Sequence, residues 1–195
     1  PILSWGVLMN KTKGAIFQSA IKNFSINGYD GATMDEISVN AGVAKGTVYY
    51  YFKSKDEVFK YIITEGISLL RQQTESINTG EGNYSYKLRE LSKDQLRLVY
   101  ENRDLFKVIM SQAWGGKIRH LELRELLKGY MEDIKKFLIN AMDDGAIKKC
   151  EPSFLTYIYF GTLVSVAIYY VINNDSMKLD EIIDNFINGL LNGIK

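Results

Sequence analysis

Cysteine, histidine and proline are almost missing from this sequence, and each shortage closes off a class of protein. The single cysteine, Cys150, excludes an intrachain disulfide and fits a reducing, cytoplasmic compartment. Lys148 and Lys149 precede it, but a thiol in a surface loop is the plainer reading than a reactive one. The single histidine, His120, cannot form a histidine pair, and no cluster with metal-ligand spacing exists. No catalytic constellation of titratable groups is apparent either, so neither an enzyme nor a cofactor is expected. With only two prolines to interrupt 195 residues, and apolar residues repeating at helical spacing, the fold class is all-α. One-sided charge is also lacking. The formal net charge is +1, too balanced for wholesale coating of nucleic acid. Residues 9–56 hold six lysines against four acids, a mild basic bias at one end that suffices for local phosphate contacts. There is no internal repeat and no low-complexity tail.

What the sequence does have is a tightly specified stretch from Thr33 to Phe52. Thr33 and Glu36 are spaced for a capping box, in which each side chain meets the other residue's backbone N–H. Met34, Ile37 and Ala41 then share one helical face. Gly42 is placed where the helix must stop with positive φ, and Val43 is set to fill the corner. A second helix follows from Lys45 to Tyr51, with Val48 and Phe52 inward, four apart. Lys45, Thr47, Tyr49, Tyr50 and Tyr51 are left on its other faces. Helix, glycine turn and helix in this order form a helix-turn-helix, whose second helix enters the major groove. Lys45 and the tyrosine hydroxyls suit phosphate oxygens. Gly46 permits close backbone approach, and Thr47 and the tyrosine rings suit a thymine methyl. The competing reading is a small helical hairpin in a generic bundle.

The run AGVAKGTVYYYFKSKDEVF, from Ala41 to Phe59, closely resembles the signature of TetR-family transcriptional regulators. Phe24, Gly28, Tyr29, Thr33 and Ile37 continue the match upstream, over about the first quarter of the chain. The resemblance implies a homodimeric, ligand-responsive regulator, most often a repressor, acting on a double-stranded inverted-repeat operator. It implies an N-terminal DNA-binding domain over residues 9–53 and a ligand-binding and dimerisation domain over residues 54–195. It also implies that Lys55 binds a phosphate, beside Thr33 and the second-helix residues already named. The first helix, about Lys11 to Asn27, buries Ile16, Phe17, Ala20, Ile21 and Phe24; Lys11 and Lys13 are weaker phosphate candidates. Residues 1–8, ahead of Met9, are expected to be an added scar or an upstream-start extension.

Beyond residue 53 only helical layout matches the family. A second capping box, Ser54 with Glu57, opens a long helix reaching about Ile77, suited to act as a lever. A loop at residues 79–83 separates it from helices over about 84–102, 105–114 and 118–143, the last stopped by Gly145. The effector is expected to be a small apolar or weakly polar molecule lined by Ile63, Phe106, Met110, Trp114, Tyr130, Phe137, Tyr157 and Phe160. Each of these is, by its spacing, first of all a core side chain. Phe154 to Ile172 is 19 residues without a formal charge, long enough for a membrane span. Four tyrosines spread along it fit a helix buried in core and subunit interface better than an aromatic belt. Together with the last helix, from about Leu179, it is expected to form the dimer interface through Val164, Ile168, Phe186, Ile187 and Leu190. No membrane association is expected. A membrane-anchored regulator and one controlled by a protein partner are the alternatives.

Overall fold

A computed structural model describes residues 10–113, 121–173 and 178–194, and the elements among them are all helical. They are α1 (Lys11–Gly31), α2 (Met34–Asn40), α3 (Lys45–Tyr51), α4 (Lys55–Thr79), α5 (Tyr84–Glu101), α6 (Arg103–Ala113), α7 (Leu121–Asp143), α8 (Pro152–Asn173) and α9 (Leu179–Ile194). The chain divides into two compact units. The first runs to Gly66 and includes α6; the second holds the remainder of α4, with α5, α8, α9 and α7 from Leu126 onward. This packing boundary lies elsewhere than the sequence-based division at 53/54, because α6 packs against α1 and the first turns of α4 stay with the first unit.

In the first unit, the expected stripe of α1 forms the floor of the core, with Ile16, Phe17, Ala20, Ile21 and Phe24 all buried. Helical geometry is interrupted at Gly28, whose φ of 66° and ψ of 178° only glycine adopts readily. Phe24, Tyr29 and Phe59 meet as an aromatic cluster with ring centroids 5.0 to 5.9 Å apart. Lys22 of α1 reaches Asp104 of α6 at 3.3 Å. Gly66 of α4 faces α6: a Cβ there would stand 3.1 Å from Ile109 Cδ1.

The second unit is organised around α5, α7 and α8. Leu88, Leu91, Leu96, Tyr130, Ile134, Phe137, Leu138, Leu155, Tyr159 and Leu163 are buried there. Tyr84 opens α5, its N–H donating to Asp144 at 3.0 Å and its ring meeting Phe137 edge-on at 5.4 Å. Arg71 donates to Asp133 at 2.6 Å, lying over Gly129, where a Cβ would come within 3.3 Å of the guanidinium. α7 ends at Gly145 (φ 78°), with Ala146 N–H donating to Ala141 O and Gly145 N–H to Met142 O. These two bonds satisfy carbonyls that the helix end would otherwise leave free.

Candidate nucleic-acid interface

The helix-turn-helix is built by local hydrogen bonds that its sequence specifies. Thr33 Oγ1 accepts from Glu36 N–H at 3.2 Å, and Glu36 Oε2 accepts from Thr33 N–H at 3.1 Å, closing the reciprocal cap of α2. At the other end Gly42 adopts φ 67°; its N–H donates to Val39 O and Val43 N–H donates to Ser38 O, both at 3.1 Å. That pair of bonds turns the chain sharply into α3. Ser19 Oγ donates to Ile37 O at 2.8 Å, fixing α2 on α1 from within. Ile37, Val48 and Phe52 are buried, as their spacing requires.

Outward from that core, α3 presents the expected side chains. Gly46 is exposed and Thr47 half-buried. Tyr50 is 75 % exposed and Tyr49 39 %, large apolar areas left in solvent beside one lysine. Lys45 is exposed and paired with Asp35 of α2. The carboxylate raises the Lys45 pKa, chiefly through the hydrogen bond. Thr33 is committed to the cap that starts α2.

Two of the expected contacts also have tasks within the fold. Tyr51 is half-buried, and its hydroxyl accepts from Asn10 Nδ2 at 2.6 Å. Asn10 is also the cap of α1, its Oδ1 accepting from Thr12 and Lys13 N–H at 2.9 and 3.2 Å. One side chain thus joins the start of α1 to the end of α3. Lys55 is turned inward: its ammonium donates to Asp30 O at 3.2 Å and Ala32 O at 2.9 Å, and sits 4.7 Å from the Tyr29 ring centre. The carbonyls released where α1 ends attract the cation, so Lys55 braces the link from α1 to α2. Lys13 likewise lies over Tyr61, 4.0 Å from the ring centre. Asn10 was missed in the sequence, although an Asn ahead of Lys-Thr-Lys is a legible helix cap.

The candidate effector residues fall in both units. Ile63 is buried and Phe106 and Met110 are half-buried in the first; Trp114 lies outside the described residues. In the second unit Tyr130 and Phe137 are buried and Phe160 is half-buried, its ring 6.2 Å from that of Tyr130. Tyr157 is a correction: it is 68 % exposed, on the face of α8 opposite the interior, and Tyr159 occupies the inward position.

Tyr159 belongs to a buried polar chain that sequence reasoning also missed. Its hydroxyl donates to Gln95 Oε1 at 2.8 Å, and Gln95 Nε2 donates to Tyr130 hydroxyl at 2.8 Å. Ser92 Oγ lies 3.2 Å from the Tyr159 hydroxyl. Burial raises the pKa of both phenols above the ordinary tyrosine value, so they are neutral donors and acceptors.

The expected dimer residues divide by their burial within one protomer. Phe186 and Ile187 are buried within the unit, and Val164 and Ile168 are half-buried; Leu190 lies in α9 with its side chain outside the described residues. Among the described residues, the large exposed apolar side chains of α8 are Phe154, Tyr157, Ile158, Tyr169 and Ile172. Between α8 and α9 runs an open groove of about 430 Å³, lined by Thr162, Val166, Tyr169, Ile182, Asn185, Phe186 and Gly189.

Comparison with known proteins places this geometry. The profile of bacterial regulatory proteins of the tetR family matches residues 16–62, which span α1 to the first turns of α4. A solved structure of a candidate fatty acid metabolism regulator from Clostridium perfringens is 39 % identical, with a TM-score of 0.84, over 93 % of this chain and 98 % of its own. The fatty acid metabolism regulator protein of Bacillus subtilis is 25 % identical over 191 residues, 92 % of this chain and 93 % of its own. The transcriptional regulator FadR from Bacillus subtilis, solved in complex with stearoyl-CoA, is 25 % identical with a TM-score of 0.78, over 94 % of this chain and all of that one.

Proposed function

Because the chain belongs to the TetR family of bacterial regulatory proteins, we propose that it is a homodimeric DNA-binding repressor released from its operator by a long-chain acyl thioester. The observation that carries the effector class is the likeness, over nearly the whole chain, to a regulator solved with stearoyl-CoA. An acyl chain suits the apolar interior supplied by α5, α7 and α8. The relatives are transcriptional regulators, and no enzymatic role is proposed.

In this mechanism α3 docks in the major groove, with Gly46, Thr47, Tyr49 and Tyr50 towards the bases and Lys45 towards the backbone. Thr33 and Tyr51 set the pose of α2 and α3. The dimer places two such helices on one operator, with half-site centres roughly 34–36 Å apart or somewhat more. The exposed apolar face of α8, continued by the α8–α9 groove, is the surface through which two copies join. That face also explains why α8 is long and apolar enough to cross a membrane while only a third of Pro152–Tyr169 is buried. A dimer in the cytoplasm accounts for it without a bilayer. The effector favours a conformer in which α4 carries the two α3 helices away from the operator spacing. To clear the operator it must bind that conformer more tightly by several kcal/mol.

The test begins with selection of duplexes from a random library, which is expected to yield an inverted repeat. Titration of that complex with stearoyl-CoA and with coenzyme A alone follows. Release by the first and not the second is expected. Release by neither, from a duplex that the protein holds tightly, excludes the acyl thioester as effector.

A further inference from the structure

Asp35 and Lys45 sit on adjacent helices of the helix-turn-helix and meet on its solvent face. The Lys45 ammonium lies 2.7 Å from Asp35 Oδ1 and 2.9 Å from Oδ2. Both oxygens of one carboxylate therefore hold one cation. Their side chains remain 58 % and 63 % exposed, so nothing buries the pair away from an approaching duplex. Lys45 is the sole charged residue of α3; Gly46, Thr47, Val48 and the three tyrosines are neutral. The neighbouring acid, Glu36, is committed to the cap with Thr33. The one cation that α3 offers to DNA is thus already matched by an anion of the protein.

We propose that Asp35 is a positioning residue that takes the place of a DNA phosphate on Lys45, so that α3 engages any duplex only by exchanging this carboxylate for a phosphate. The inference rests on α3 being the DNA-contacting helix. A carboxylate and a phosphate offer an ammonium the same kind of charged oxygen acceptor, so the exchange is close to balanced. After it, Asp35 is left beside a negatively charged backbone. Both effects lower the affinity that Lys45 would otherwise lend to every sequence. The contacts of Thr47 and the tyrosines with base edges are untouched, and these depend on sequence. Asp35 therefore suppresses sequence-independent binding, which matters to a regulator surrounded by competing genomic sites.

The test is a set of anisotropy titrations over a range of salt, on a scrambled duplex and on the repeat selected with the unaltered dimer. Asp35→Asn is expected to raise affinity for the scrambled duplex about threefold to tenfold, and to steepen the slope of log K against log salt by about one phosphate contact. Asp35→Glu, which keeps the carboxylate, is expected to stay near the starting slope. In a Lys45→Gln background, Asp35→Asn is expected to lose most of its effect. Asp35→Ser gives a second neutral replacement should Asn unsettle the first turn of α2, which thermal melts reveal. Unchanged scrambled-duplex affinity and slope in both neutral variants overturns the proposal. So does an effect of undiminished size in the Lys45→Gln background, since bulk charge then explains it. Failure of the unaltered dimer to prefer any selected repeat is a different result, and removes the DNA-contacting role of α3 itself.

Discussion

The helix-turn-helix and α8 are both helical and both carry several tyrosines, yet they distribute their chemistry in opposite ways. Around α3 polarity changes from residue to residue: Val48 is buried, and its neighbour Tyr49 and the next residue, Tyr50, face solvent. Around α8 the same kinds of side chain stand on both sides. Leu155, Tyr159 and Leu163 point inward while Phe154, Tyr157 and Ile158 point outward. A surface that meets DNA must differ chemically from the core behind it. A surface that meets a second copy of the protein need not. The contrast is therefore between a face marked by composition and a face marked only by geometry.

The sharpest way to break that comparison is to place one charge on each side of the α8–α9 layer. Phe186, 5 % exposed, sits inside the unit against Tyr159 at 6.3 Å. Phe186→Glu is expected to destabilise the protomer by several kcal/mol, since an unpaired charge is buried. Circular dichroism should show a collapse of the melting midpoint. Ile158, 43 % exposed, lies on the outer face. Ile158→Glu is expected to leave each protomer folded, with a change in protomer stability within about 0.5 kcal/mol. Light scattering should instead show half the mass, and operator binding should weaken with the loss of the second recognition helix. A dimer that survives Ile158→Glu moves the interface elsewhere.

A smaller effect separates the polar from the apolar part of the second unit. Tyr130→Phe keeps the ring and removes the acceptor for Gln95 Nε2. The cost is expected to be about 1–3 kcal/mol, the penalty for a buried donor left unpaired. Urea denaturation measures it. The same change tests whether the chain of Ser92, Gln95, Tyr130 and Tyr159 tunes the effector response, because release by stearoyl-CoA should then shift as well. In the first unit Tyr50→Ala is expected to cost almost nothing in stability, since its ring is mostly in solvent. It should nonetheless weaken operator binding by about tenfold or more, the scale of a lost base contact.

What was legible in the sequence follows the same division. Thr33, Glu36, Gly42 and Gly145 announce themselves because caps and positive-φ turns demand particular residues, and the structure uses each as expected. The burial of α1 followed from its spacing alone. Tyr157 was misplaced because α8 is apolar all round. Periodicity then fixes a helix but not which face is inward. The bracing role of Lys55 was hidden for another reason. Its partners are backbone carbonyls of Asp30 and Ala32, 25 and 23 residues away, and carbonyls leave no trace in a sequence. The buried chain around Gln95 joins three helices and is equally invisible until they are assembled.

Even α8 has one position where chemistry is local, and it yields the smallest and most specific expectation. Glu151 stands immediately before Pro152, the first helical residue, and its carboxylate accepts from the N–H groups of Ser153 and Phe154. Those bonds favour the charged form and hold the Glu151 pKa below the ordinary glutamate value, the bond from Phe154 contributing most. A depressed folded-state pKa means that the cap stabilises above the unfolded-state pKa of about 4.3, and that this stabilisation is lost as pH falls through the lower folded-state pKa. Glu151→Gln keeps the shape and loses the charge. It is expected to melt below the unaltered chain at neutral pH, with the gap closing once the medium is acid enough to protonate Glu151. Comparing the two chains at each pH cancels the other carboxylates, which titrate in both. A gap that persists unchanged into acid would mean that the cap works through shape alone, and that charge marks no part of α8.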